Sequence, residues 1–214
     1  MIFFKKNSKP AFLRDISKVF SHRIRTFGST PAGVLWKSSE GQALRFEVLS
    51  GILDDICPST SITINDFGCG YGALLDFINE LPSLPEVTYF GYDISEEMIN
   101  VAKKRNHHQR ATFTKASKVD KVADFTFISG TFNLSLNVDT VSWNNYVKSS
   151  LSQIWSMSRA GLAFNMLDNC QARQTDGLYY ADSNEFIDFC SNFSSNLTLI
   201  KDYPLNEWTI FIHR

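Results

Sequence analysis

Cysteine is sparse and unpaired in pattern: Cys57, Cys69, Cys170 and Cys190 form no CxxC and no metal-ligand spacing. A chain of 214 residues is long enough to bury a core without covalent staples. Free thiols in a reducing cytoplasm are therefore the expectation. Long apolar runs are also missing. No stretch nears the roughly 20 apolar residues of a membrane span, and Met1-Ile2-Phe3-Phe4 is too short for a signal-peptide core. Nor is there an excess of charge. A formal net charge of −1 supplies no whole-chain attraction for nucleic acid, which argues against that class of partner. The four histidines, His22, His107, His108 and His213, lack ligand spacing, so no metal is expected. No internal repeat is present, which excludes solenoids and propellers.

Charge is nonetheless unevenly spread. Residues 1–26 hold seven cations (Lys5, Lys6, Lys9, Arg14, Lys18, Arg23, Arg25) against Asp15, a net of +6, and leave −7 for the rest. Phe12, Leu13, Ile16, Val19, Phe20 and Ile24 recur there at helical spacing. A basic helix docked on the body is the favoured reading, with a transit peptide or a polyanion contact as alternatives. The Gly/Ser/Thr/Pro cluster 27–33 then separates residues 1–38, a helix with a linker or lid, from a domain at 39–214.

From residue 39 onward, helical and strand-like patterns alternate. Helices are expected over Ser39–Leu53, Ala73–Glu80, Ser95–Arg105, Val141–Met157 and Asn184–Phe193. Strands are expected over Ile62–Phe67, Val87–Tyr92, Ala111–Lys115, Ala123–Ser129, Gly161–Leu167, Leu197–Asp202 and Glu207–His213. Alternation of this kind predicts an α/β fold, a Rossmann-like seven-stranded sheet, mostly parallel and covered by helices on both faces. Tyr203-Pro204-Leu205-Asn206 is long enough only for a hairpin, so the last strand must run antiparallel.

The chemistry concentrates at Asp66-Phe67-Gly68-Cys69-Gly70-Tyr71-Gly72, between the first strand and its helix. Glycines let the backbone turn sharply and approach a ligand, and the helix N-terminus beyond offers unpaired N–H groups. A tight turn without a ligand would use the same residues. Asp93 follows 25 residues after Gly68, at the end of the next strand. A carboxylate there can accept bonds from both hydroxyls of a ribose, while Ser95 fits the cap of the following helix.

These segments resemble the class I S-adenosylmethionine (SAM)-dependent methyltransferases from about Gly41 to Arg214. Asp66-x-Gly68-x-Gly70-x-Gly72 is similar to the family's first motif, Tyr92-Asp93-Ile94-Ser95 to its second and Ala123–Gly130 to its fourth. The resemblance implies SAM as methyl donor and S-adenosylhomocysteine (SAH) as product. It puts the glycines and Asp66 along the methionine and ribose, Asp93 on the ribose hydroxyls, and Ile94 and Met98 on the adenine. Ser117 stands where the family often has an acid for the adenine amino group, and Ser129 and Gly130 close the donor site. Trp36 is expected to cover SAM, and Arg45 to pair with its carboxylate. Two alternatives stay open. Gly68-x-Gly70-x-x-Ala73 also fits the fingerprint of a nicotinamide-dependent oxidoreductase, and a non-catalytic SAM-binding domain would retain the same motifs.

The acceptor is expected beyond the fourth strand, at Ser129-Gly130-Thr131-Phe132-Asn133. This is not the Asn/Asp-Pro-Pro-Tyr run of relatives that methylate planar amide or base nitrogens. A small metabolite or sugar-linked acceptor, methylated on oxygen or nitrogen, fits better. Asn133 and Tyr179 are the candidate catalytic residues, with Tyr180 beside them and the polar Asp168-to-Tyr180 loop as a lid. Nothing in the sequence fixes an oligomeric state.

Overall fold

The computed structural model describes residues 10–54, 56–57, 61–81, 84 and 86–214. The basic residues Lys5, Lys6 and Lys9, and the Pro58-Ser59 helix stop, lie outside them. The strands are β1 (Ile62–Phe67), β2 (Val87–Asp93), β3 (Ala111–Lys115), β4 (Ala123–Ser129), β5 (Ser158–Asp168), β6 (Tyr180–Ala181), β7 (Asn196–Ile200) and β8 (Glu207–His213). The helices are α1 (Phe12–Phe27), α2 (Ser39–Ser50), α3 (Ala73–Glu80), α4 (Glu96–Arg105), α5 (Thr140–Trp155) and α6 (Ser183–Cys190).

The expected seven strands form one sheet in the order β3-β2-β1-β4-β5-β8-β7, and β6 adds a two-residue eighth on β5. β1 to β5 are parallel, whereas β8 runs antiparallel between β5 and β7. Burial on both faces explains why these strands read as nearly continuous apolar runs. Successive side chains serve opposite cores. On β5, Leu162, Phe164 and Met166 pack toward α1, α5 and α6, while Ala163 packs toward α2, α3 and α4. β5 starts three residues before its expected Gly161, because Ser158, the exposed Arg159 and the half-buried Ala160 carry no continuous apolar run to mark its start.

Caps fix the helix starts. Ser95 accepts the Met98 N–H at 3.2 Å, with Glu96 and Glu97 in the first turn of α4 and Lys103, Lys104 and Arg105 in its last. That polarity matches the helix dipole at both ends. Asp139 caps α5 through the Ser142 N–H at 2.9 Å. α1 buries Leu13, Ile16 and Ile24 and leaves Arg14, Lys18, His22 and Arg25 outward. It is pinned to the β2–α4 turn, where Ser17 Oγ donates to the Ile94 carbonyl at 3.0 Å and Ser21 Oγ meets Ser95 Oγ at 2.9 Å.

At the β8 end of the sheet, Trp208 is fully buried between Phe164 and Phe186, and its indole N–H donates to the Ala181 carbonyl at 2.9 Å. Trp208→Ala should lower the unfolding free energy by about 3–5 kcal/mol, read from urea denaturation at constant slope.

Candidate active site

β1 delivers Asp66 and Phe67 to a turn in which Gly68, Gly70 and Gly72 all have positive φ (86°, 53° and 85°). A Cβ at Gly68 would collide with the Thr131 side chain, so that position tolerates only glycine. The turn is clamped to β2: the Gly68 and Cys69 N–H groups donate to the Tyr92 carbonyl at 2.7 and 2.9 Å. Asp93 then takes the Gly70 N–H on Oδ2 at 3.1 Å and the Ser95 N–H on Oδ1 at 2.7 Å. Each carboxylate oxygen has acceptor capacity beyond these bonds.

Asp66 is buried at 2% exposure and accepts from the Tyr89 hydroxyl. Its pKa is raised to about 7, chiefly by burial and further by the Asp93 charge, against the opposing Tyr89 hydrogen bond.

Above the carboxyl ends of these strands lies a cavity of about 500 Å³, where an open α/β sheet binds its ligands. Its walls include Phe67 and the glycine turn, Asp93, Ile94 and Met98, the Ser129–Thr131 loop with Asn133, and Trp36. Leu13, Ile16 and Phe20 of α1 close one side, and Gln171, Thr175 and Tyr180 of the β5–β6 loop another. In the loop after β4, Thr131 Oγ1 donates to the Phe67 carbonyl at 2.7 Å and the Gly130 N–H to Asn165 Oδ1 at 2.8 Å. Asn133 is 6% exposed, and its Oδ1 accepts the Leu167 N–H at 3.2 Å. That bond fixes the amide orientation. Asn133 Nδ2 is left without a partner, as is Ser129 Oγ, and both residues line the cavity.

Trp36 and Arg45 come together as a stack, the guanidinium 3.8 Å from the ring centroid. Arg45 Nε donates to both Glu207 oxygens at 3.0 and 2.9 Å, and Nη1 to the Gly41 carbonyl at 2.7 Å. Glu207, buried at 3% exposure, also accepts Asn165 Nδ2 at 2.6 Å. The guanidinium fork is thus spent on a protein carboxylate.

A family model described as a methyltransferase domain matches residues 65–161. "Putative methyltransferase Rv1506c" of Mycobacterium tuberculosis is 35% identical over 156 residues, which spans 71% of this chain and 93% of that protein. The chain belongs to the class I SAM-dependent methyltransferases. Solved structures agree on the fold. Magnesium protoporphyrin IX methyltransferase of Synechocystis PCC 6803, with bound SAM, has a TM-score of 0.68 at 13% identity, covering 98% of this chain and 100% of that one. The DhpI-SAM-HEP complex gives 0.67 at 9% identity, covering 96% and 99%.

The methyltransferase's own cavity fits SAM as cofactor. Cβ-free backbone at Gly68 and Gly70 and the Asp93 carboxylate, all on the cavity wall, suit a ligand with ribose, amine and carboxylate groups. The antiparallel β8 replaces the further parallel strand of a dinucleotide fold, which removes the oxidoreductase alternative together with the family assignment. Three expected site residues lie elsewhere. Gly72 is off the cavity wall, its missing Cβ facing Asn106 and Phe113. Ala116, not Ser117, lines the cavity, because the Ala116 N–H bonds to the Asp93 carbonyl at 2.9 Å and turns the chain there. Tyr179 is core, 6% exposed with its hydroxyl pKa pushed up to about 12 by burial, and Tyr180 takes the cavity side. Tyr179 immediately precedes β6, whose first residue is Tyr180.

Glu207 and Asn165 were not expected in the site. The signal available was an acid at the head of the apolar run Glu207-Trp208-Thr209-Ile210 and an amide inside Leu162–Leu167. A buried strand carries such a residue only with a partner. Among the described residues, no group of three or more His, Cys, Asp and Glu could hold a metal ion, and no helix is long and apolar enough to cross a membrane.

The raised pKa of Asp66 has a definite sign. Between its ordinary value near 3.8 and about 7, the folded state holds the proton that the unfolded state releases. Unliganded protein should therefore lose stability as pH rises through that window and level off above it. Asp66→Asn should flatten this limb in chemical denaturation from pH 4 to pH 8.

Proposed function

We propose that the protein moves the methyl group of SAM to an oxygen or nitrogen of a small metabolite or sugar-linked acceptor by in-line displacement. The observation that carries this reading is Asn133: a buried amide locked by the Leu167 N–H, with its own N–H₂ unpaired at the cavity wall. A buried amide donor left without a protein acceptor is costly, and a ligand acceptor atom at this wall would offset that cost.

Bound SAM supplies a methyl group on a positively charged sulfur, already a good leaving group. The chain's task is then alignment and exclusion of water. Gly68 and Gly70 would let the methionine and ribose lie on bare backbone, with Asp66 beside the amino-acid end. Asp93 would hold the ribose hydroxyls, and Ile94 and Met98 would pack on the adenine. Ser129, Gly130 and Trp36 would close the donor end, with Asn133 orienting the acceptor. Residues 10–38 and the β5–β6 loop would act as covers. Burial pushes the hydroxyls of Tyr92 and Tyr146, two cavity residues, up to about 12. That favours an acceptor whose lone pair is competent once oriented over one that must first be deprotonated by tyrosinate. A volume of about 500 Å³ suits SAM and a compact acceptor better than a polymer, so nucleic acid is not proposed. Cys69, Cys170 and Cys190 as thiols support a reducing, cytoplasmic setting.

Asp93→Ala should weaken SAH binding at least about tenfold by calorimetry, the scale of hydrogen bonds to a charged group. Wild-type affinity in that variant would sink the donor-site assignment. Methyl-labelled SAM incubated with fractionated cell extract should label a low-mass fraction insensitive to nuclease and protease. Asn133→Leu should cut that transfer about tenfold while SAH affinity stays within about twofold of wild type.

A further inference from the structure

At one end of the cavity, five residues from five segments close on one another. The Gly130 N–H donates to Asn165 Oδ1 at 2.8 Å, and Asn165 Nδ2 donates to Glu207 Oε2 at 2.6 Å. Glu207 receives Arg45 Nε at 3.0 and 2.9 Å. The Arg45 guanidinium lies 3.8 Å over the Trp36 ring. The Trp36 ring rests on Gly130, where a Cβ would overlap it. The chain of contacts returns to its start.

The circuit is dry. Asn165 is 1% and Glu207 3% exposed, and the Arg45 side chain 10%. Taking two charges out of water costs several kcal/mol each, and well-packed apolar residues of similar volume are often as stabilising as a buried ion pair. Stability alone therefore gives no reason for this pair. Geometry does, since four of the five members, Trp36, Arg45, Gly130 and Glu207, are themselves cavity wall. A bidentate fork fixes both ends of the guanidinium, and a stacked ring can neither slide nor tip without breaking it. Gly130 sits at φ 64°, a conformation that an anchored N–H holds in place.

We propose that Glu207 is a positioning residue of the methyl-transfer site, setting the Trp36 ring through Arg45 and the Gly130 backbone through Asn165. The two walls then move as one unit. This inference rests on reading the cavity as the methyl-transfer site. It gives Arg45 an indirect role: the residue organises the cover over the donor and does not itself take the carboxylate of SAM.

The test uses the whole chain and two readouts. Acrylamide quenching of Trp36 is taken as the difference between each protein and its Trp36→Phe counterpart. SAH binding is measured by calorimetry. Glu207→Gln keeps the volume but removes the charge and turns an amide N–H toward donors. It should raise Trp36 quenching about twofold or more, the scale of a lost cation–π stack, and weaken SAH about tenfold. Arg45→Lys keeps the cation but loses the fork and the planar face, and should shift both readouts in the same direction. The double variant should be no worse than the more severe single, because both break one circuit.

A lower melting temperature with wild-type quenching and wild-type SAH affinity in both variants would overturn the proposal, as would additive effects in the double. If Glu207→Gln does not fold, Arg45→Lys decides alone. If wild-type protein binds no SAH, the reading of the cavity fails instead, while the quenching comparison still decides the circuit. Asp93→Ala separates the two further: it should weaken SAH binding at least about tenfold and leave Trp36 quenching unchanged.

Discussion

The carboxylate of Asp93 ties together two of the turns that wall the cavity. One oxygen holds the Gly70 N–H of the glycine turn and the other the Ser95 N–H that opens α4. Through Ser95 it reaches α1, since Ser95 Oγ meets Ser21. The glycine turn, the β2–α4 turn and the N-terminal helix are thus referred to one anion. Its charge is felt beneath as well, where it helps hold the Asp66 carboxyl near neutrality. A site that places one carboxyl charged and a neighbouring one half-protonated has sorted them by environment alone, through burial and mutual repulsion.

Much of this was legible in the sequence because the signals were local. The bounds of β1, α3, β3, β4 and β8 coincide with those expected from apolar runs and their punctuation. The glycine turn and Asp93 were legible for the same reason, being set by backbone sterics and a short crossover. What escaped depends on distance or phase. Arg45 and Glu207 are 162 residues apart, and no pattern in either neighbourhood points to the other. Tyr179 and Tyr180 are neighbours at the start of the two-residue strand Tyr180–Ala181, and nothing before residue 179 fixes which of them faces the cavity. Ala116 and Ser117 differ by one step of a turn set by a backbone bond to Asp93.

The N-terminal helix shows how an amphipathic pattern acquires meaning only on folding. Its apolar stripe was readable, but not that Leu13, Ile16 and Phe20 would wall a cavity built by residues 66–133. Small polar residues on the same stripe, Ser17 and Ser21, do the fastening. They would pass as neutral helix positions by propensity and find their partners only when the β2–α4 turn is present.

The strand order carries a consequence for synthesis. β8 follows every other strand in the chain, yet it sits between β5 and β7 and covers β5 along seven residues, Gly161 to Leu167. Until it arrives, a nascent chain displays one flank of its longest strand as bare N–H and carbonyl groups beside Phe164 and Met166. Open flanks of that kind recruit other strands. Ribosome-bound and truncated forms ending before residue 207 should thus be the sticky species of this protein, and the last strand its closure against self-association.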